Sequence, residues 1–202
     1  MLLAICGSIC AQQLAFPDAQ GWGRFAEGGR KGTVYHVTNL NDSGSGSLRD
    51  AVSQSNRIVV FDVSGVIRIN SRIVFKNNLY VAGQTAPGEG ITVYGDGVSF
   101  SGADNIIVRY MRFRTGAVGT KDKDCAGVAN GQNMIFDHCS FAWGQDENFS
   151  INWDNKGTSP KNITLQNSIV GQGLCRHSQW HRHDFRSLLL CLGKGRDLQH
   201  QS

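Results

Sequence analysis

The chain has 202 residues, enough for one domain with a sizeable core; 18% are charged, 25 are Gly and three are Pro. That is a turn-rich, all-β composition, and no run of about 18 apolar residues exists, so no transmembrane helix and no membrane partner are expected. The net charge of +4 comes chiefly from the last 28 residues, because residues 1–174 hold 15 Lys/Arg against 14 Asp/Glu. With that balance and no aromatic-basic recognition motif, a nucleic-acid partner is not expected.

The N-terminus, MLLAICGSICAQQ, is a short apolar run followed by small and polar residues. It reads as a secretory signal peptide over residues 1–11, cut near Ala11, with a buried first strand as the other reading. Secretion fits three N-glycosylation sequons, at Asn41, Asn148 and Asn162, which also arise by chance. Beyond a Gly-marked turn region, TVYHVTNL alternates as a first strand, and SGSGSLRDAVSQ starts a helix with Ser47 as N-cap and Asp50 three residues on. RIVVFDVSGVIRI (57–69), RIVFKNN (72–78) and ITVYGDGVSFSG follow as alternating segments, the last after a loop at 83–90.

A repeat organises the remainder. NIIVRYMRF at 105–113, NMIFDHCSF at 133–141 and NITLQNSIV at 162–170 each open on Asn and alternate, and a weaker NLYVAGQ begins at Asn78. The Asn marks stand 27, 28 and 29 residues apart. Alternate side chains of a strand point to opposite faces, so a lone copy cannot bury itself and successive copies must stack. Ile106, Val108, Met134, Phe136, Ile163 and Leu165 then hold equivalent positions in rows about 4.8 Å apart. The expected fold is all-β, a single-stranded right-handed parallel β-helix with a short N-terminal capping helix over its open end. A β-sandwich with coincidental spacing is the alternative, weakened because the only Asn-Gly hairpin signal is at 130–131. Of six Cys, Cys125 and Cys139 lie in the body, either bridged between coils or as two buried free thiols.

The blocks AFPDAQGWGRFAEGGR, VYHVTNLNDSGSGSLRDAV, RIVVFDVSGVI, VAGQTAPGEGITVYG, NIIVRYMRFR and NMIFDHCSFAWGQDENFSINWD, in that order, resemble the secreted pectate lyases of polysaccharide lyase family one. The resemblance runs from about residue 15 to 174. It implies a parallel β-helix, calcium, an extracellular location and β-elimination of a pectic polysaccharide, polygalacturonate, by a chain expected to be monomeric.

Asp122 and Asp124, an i, i+2 pair in GTKDKDCAGV, suit a hard cation that takes six to eight oxygen ligands, although KDKD also reads as a solvated loop. The resemblance places them with the aspartates of the family's Ca2+ site. Asp146 and Glu147 are the second acidic pair, and the family's further carboxylates at a spacing of four are replaced here by DENFSIN. Asp137-His138 resembles a Trp-x-Asp-His block and reads as a structural hydrogen-bonding pair inside a strand. Arg109, Arg112, Arg114 and Lys121 are candidates for gripping uronate carboxylates, with plain solvation as the competing reading.

The family's base is an arginine in a coil after the one ending at Val170-Gly171, and there the pattern departs. No Asn-led strand stands near 190, and 175–202 reads as a disordered, non-homologous tail from a shifted frame or unspliced intron. A zinc site from His177, His181 and His183 is its other reading. Residues 15–174 are then a partial β-helix with no catalytic residue assigned. Two other functions share the fold: a non-catalytic binder of acidic glycans, and a glycoside hydrolase using two of Asp122, Asp124 and Asp146.

Overall fold

A computed structural model describes residues 12–173. The signal-peptide reading of residues 1–11 and the readings of the tail, its histidines included, lie outside the described residues. In chain order come β1 (Thr33–Val37), α1 (Leu48–Val52), β2 (Arg57–Phe61), β3 (Gly65–Arg68), β4 (Ile73–Val74), β5 (Leu79–Ala82), β6 (Ile91–Tyr94) and β7 (Val98–Ser99). There follow β8 (Ala103–Arg109), β9 (Met111–Arg114), β10 (Ala126–Val128), β11 (Gly131–Asp137), β12 (Ser140–Ala142), β13 (Phe149–Ile151), β14 (Lys161–Gln166) and β15 (Ile169–Gly171). They form three sheets, β1-β2-β5-β8-β11-β14, β3-β6-β9-β12-β15 and β4-β7-β10-β13, with every pairing parallel. Chain order visits the sheets in rotation, which makes a parallel β-helix.

The register matches the repeat. Met134 pairs with Ile106 and Ile163, and Phe136 with Val108 and Leu165, all pointing into the core. The phase-marking asparagines turn out to be corners. Asn78, Asn105, Asn133 and Asn162, and with them Asn56 one coil earlier, have φ between 54° and 62°, the left-handed region that Asn tolerates better than most residues. Their carboxamides link successive coils: Asn78 donates to Asn56 (2.9 Å), Asn105 to Asn78 (3.2 Å) and Asn162 to Asn133 (2.9 Å).

Each nine-residue run, read above as one alternating strand, is two strands in different sheets. Tyr110 (φ 56°), His138 (52°) and Asn167 (49°) bend the chain at the same point of successive coils. His138 therefore sits at a corner after β11, not inside a strand. The interior is an aromatic column: Phe100 lies 4.3 Å from Phe75 and 4.9 Å from Phe136, and Phe149 lies 5.1 Å from Phe136 and 4.8 Å from Phe141. Each fully buried side chain of this size stabilises the coil by about 1.5–3 kcal/mol.

The end of this column beside β1 is closed by α1. Ser47 accepts a hydrogen bond from the Asp50 N–H, as an N-cap does, and Leu48, Ala51 and Val52 are buried. Cys125 and Cys139 are both buried free thiols.

Residues 14–26 form a strap that the sequence reading treated only as turns. It crosses the outside of β8, β11 and β14, so the outward-facing Ile107 and Ile135 are buried against Phe16, Ala19 and Ala26. At Gly23 the approach is closest: an added Cβ would stand 2.0 Å from the Met134 carbonyl oxygen. The Gly23 N–H donates to Thr164 Oγ1 (2.8 Å), the Gln20 N–H to Gln166 Oε1 (2.9 Å), and Gln166 Nε2 to the Asp18 carbonyl (3.2 Å).

Candidate metal and polysaccharide site

Two loops at the same corner of successive coils carry the acidic residues. The loop between β9 and β10 holds Lys121, Asp122 and Asp124, and the loop between β12 and β13 holds Asp146 and Glu147. Parallel stacking alone brings the loops side by side, and hydrogen bonds lock them together. The N–H groups of Gln145 and Asp146 donate to the Lys123 carbonyl (3.1 and 3.4 Å), and the Cys125 N–H to the Glu147 carbonyl (2.9 Å). Gln145 Nε2 donates to the carbonyls of Gly116 (3.1 Å) and Gly119 (2.9 Å). Gly144 allows the second loop to fold tightly, since a Cβ there would meet the Glu147 carbonyl oxygen at 2.1 Å.

The result is a cluster in which Asp124, Asp146 and Glu147 each offer an oxygen within 4.8 Å of the others. Asp122 lies two residues earlier at a left-handed corner (φ 55°) and is not one of the three. Asp124 accepts from the Glu147 N–H (3.3 Å) and from the Ser150 hydroxyl. Ser150 stands four residues after Asp146, and its hydroxyl adds an oxygen to the group that sequence reading passed over because it sought carboxylates. The Glu147 carboxyl is pushed up to about 8, first by its hydrogen bond to Asp124, then by burial and by the negative charges of Asp124 and Asp146. A hard divalent cation taking oxygen ligands fits this donor set and would neutralise that repulsion. Asp124 and Ser150 also line a polar recess of about 140 Å³, together with Arg72, Ser99 and Asn152.

The candidate basic residues divide. Arg112 and Arg114 point outward from β9, alternating with the inward Met111 and Phe113. Arg112 donates through Nε to Thr92 Oγ1 (2.9 Å) and through Nη2 to the Glu89 carbonyl. Arg114 donates to the carbonyls of Phe113 (2.7 Å) and Ser140 (3.0 Å) and to Ser140 Oγ (2.8 Å), 5.7 Å above the Trp143 ring. Burial, aided by the Arg112 charge, lowers the Arg114 pKa from the ordinary guanidinium value. Lys121 is exposed on the acidic loop itself.

Arg109 is held on a different face. Its Nε donates to Asp137 Oδ2 (2.7 Å) and its guanidinium lies 4.0 Å above the Phe16 ring of the strap. Asp137 also accepts from Gln166 (3.0 Å) and Asn167 (3.0 Å), with His138 Nδ1 at 2.9 Å. Burial opposes ionisation of Asp137, yet hydrogen bonds from His138, Arg109, Asn167 and Gln166 outweigh it and hold the carboxyl below its ordinary value. His138 is exposed and stacks on Tyr110 at 4.6 Å.

No protein-family model matches the chain. Among curated proteins, "Probable pectate lyase C" of Aspergillus oryzae is 61% identical over 165 residues, covering 82% of this chain and 38% of that protein. The chain is a homologue of pectate lyases. "Probable pectate lyase C" of Emericella nidulans is 58% identical over 177 residues, covering 88% of this pectate lyase homologue and 41% of the relative. "Pectate lyase 1" of Ambrosia artemisiifolia is 25% identical over 193 residues, covering 85% and 44%. The homologue thus spans less than half the length of the curated relatives it matches. Among solved structures, the crystal structure of jun a 1, the major allergen from cedar pollen, shares the fold. Its TM-score is 0.58 and its identity 18%, over 73% of this chain and 47% of that one.

Proposed function

We propose that these coils carry the cation site of a calcium-dependent pectate lyase, an extracellular, monomeric enzyme that cleaves polygalacturonate by β-elimination. The observation that carries the reading is the meeting of Asp124, Asp146 and Glu147 from two successive coils, on the loops that follow β9 and β12, with Arg112 and Arg114 facing outward from β9. Asp124, Asp146 and Glu147 would hold Ca2+, with the Ser150 hydroxyl beside them. When bound, the ion supplies positive charge that neutralises a uronate carboxylate and so acidifies the neighbouring C–H. Asp122 and Lys121 flank the cluster on its loop, Lys121 as an exposed cation for the polyanion.

Arg112 and Arg114 serve to bind and orient uronate carboxylates, because a guanidinium presents several donors in one plane. Both are already anchored by backbone and hydroxyl acceptors, which holds them in place before the chain arrives. Arg109 and the Asp137-His138 pair have the structural role of tying coils and strap together. The arginine base that the resemblance implies falls after Val170-Gly171, beyond the elements that build this site, so residues 15–174 contribute the binding half of the chemistry as one β-helix unit.

Folded protein incubated with polygalacturonate tests the reading through the ultraviolet absorbance of unsaturated product, with Ca2+ and then with chelator. Calcium-dependent product is expected if the chain carries its base. Calcium-dependent retention of polygalacturonate without product keeps the cation site and favours a glycan-binding role. Saturated sugar ends would refute a lyase and favour a glycoside hydrolase.

A further inference from the structure

We propose that Asn41 is the N-glycan acceptor of this protein and that Asn148 and Asn162 are not. The proposal rests on the extracellular reading above and adds to it a named modification site. All three stand in Asn-x-Ser/Thr sequons, and the bulk of a glycan suits a sequon on a surface loop whose side chains the fold does not use. The fold leaves one of the three in that position.

Asn41 and Ser43 are exposed on the loop between β1 and α1, while Asp42 between them is drawn inward. Asp42 Oδ1 accepts from Arg49 Nη2 (2.5 Å) and Oδ2 from the N–H and Nδ2 of Asn70 (3.2 Å each). Pinning the central residue turns its two neighbours to solvent. The loop is held at its base, where the N–H of Thr38 donates to the Gly46 carbonyl (2.9 Å) and Asn39 Nδ2 to the Ser45 carbonyl (2.9 Å). The Asn41 N–H is satisfied by Asn39 Oδ1 (3.1 Å), and among the described residues no hydrogen bond engages its carboxamide.

The other two sequons are committed to the fold. Asn162 lies at a left-handed corner (φ 54°) and gives its amide to Asn133 (2.9 Å), while the hydroxyl of Thr164 is buried under the strap and accepts from Gly23. Asn148 is half-buried and accepts from the Gly144 N–H (2.9 Å), and the Ser150 hydroxyl is bound to Asp124. A sugar on Asn162 would crowd the nitrogen that bonds Asn133 across coils, and one on Asn148 would have to fit within the tight turn held by Gly144.

In the transfer, Asn41 Nδ2 displaces pyrophosphate-linked lipid from C1 of an oligosaccharide donor. An N–C1 bond forms, the C1–O bond breaks with its electron pair leaving on the lipid pyrophosphate, and the proton lost from Nδ2 is taken by a base of the transferase and passed to solvent. The loop lies beside the turn after β3, near the capped end, whereas the acidic cluster is built by the loops after β9 and β12.

The test is expression of the full chain behind a cleavable secretory leader in a yeast, followed by intact mass before and after peptide N-glycosidase and by peptide mapping. Protein is taken from the medium and from the lumen of the secretory pathway. Supplying the leader separates this question from whether the natural N-terminus directs secretion, which the same chain without the added leader reports. One glycan at Asn41 is expected, lost in both Asn41→Gln and Ser43→Ala and kept in Asn148→Gln and Asn162→Gln. A glycan on Asn148 or Asn162, or lumenal protein carrying none, overturns the proposal.

Discussion

Replacing Asp137 with Ala is expected to be among the most damaging single changes in this chain, although the residue lies outside the acidic cluster. Its side chain is 1% exposed and accepts from four side chains, one of them the Arg109 guanidinium, itself only 18% exposed. Removing one partner of a buried pair leaves the other charge uncompensated, which costs about 3–5 kcal/mol. For a domain of this size that corresponds to a fall in Tm of roughly 6–20 °C. Arg109 and Gln166 also hold the strap, so hydrogen exchange over residues 14–26 should rise in the variant well below its melting temperature.

Far-ultraviolet circular dichroism on heating gives the first readout and exchange mass spectrometry the second. Asp62→Ala is the control, because the His36–Asp62 pair is half exposed on both sides and worth little. The pH dependence follows from the sign of the shift. The native pKa of Asp137 is lowered, so its stabilisation is complete above the ordinary carboxylate range and is lost as pH falls through the lower native value. The acid limb of the wild-type stability curve should therefore flatten in Asp137→Asn. A Tm for Asp137→Ala within about 2 °C of wild type, less than 1 kcal/mol for a domain of this size, would refute the assignment of Asp137 as the clasp.

Saturating Ca2+ should raise Tm reversibly, by about 2.7 kcal/mol of stability at a hundred times Kd, and Asp124→Asn or Glu147→Gln should abolish the response to added ion or chelator. Asn133→Ala should cost about 1–2 kcal/mol for its left-handed corner plus about 1 kcal/mol for the lost carboxamide bond, whereas Asn133→Gly should retain only the second loss in chemical denaturation. Phe136→Ala, which removes the ring between Phe100 and Phe149, should destabilise by about 3–5 kcal/mol in the same assay.

The fold was legible because the parallel stack repeats its inward residues. Ile106, Met134 and Ile163 fall in one row because each follows an asparagine corner by one residue, and spacing alone reveals that. Where each strand ends was less visible, since a bulky residue such as Tyr110 does not advertise a left-handed bend. The acidic cluster was half legible. Asp124, Asp146 and Glu147 were in view as residues, and the resemblance supplied the chemistry, but only stacking shows that these three meet while Asp122 stands apart. Arg109 reads in the sequence like Arg112 and Arg114, yet it ends the longer strand and falls under the strap. Nothing in AFPDAQGWGRF announces that segment's docking partners, because the bonds joining it to Thr164 and Gln166 span 141 to 148 residues.

That separation sets an order of events during synthesis. Residues 14–26 emerge early, but the groups that receive them, Thr164 and Gln166, are added only near the end of the described residues. At translation rates of about 5–20 residues per second, the gap is on the order of ten seconds. Throughout it Phe16 and Ala19 have no finished surface to cover, and Ile107 and Ile135 wait uncovered from the moment they are made. If the coils add one upon another as the chain lengthens, the newborn protein is a growing stack whose outer latch closes only once β14 has been made. The vulnerable species is thus a stack of several coils with an open flank, and a chaperone or a partner chain that recognises apolar strand faces has its opportunity there.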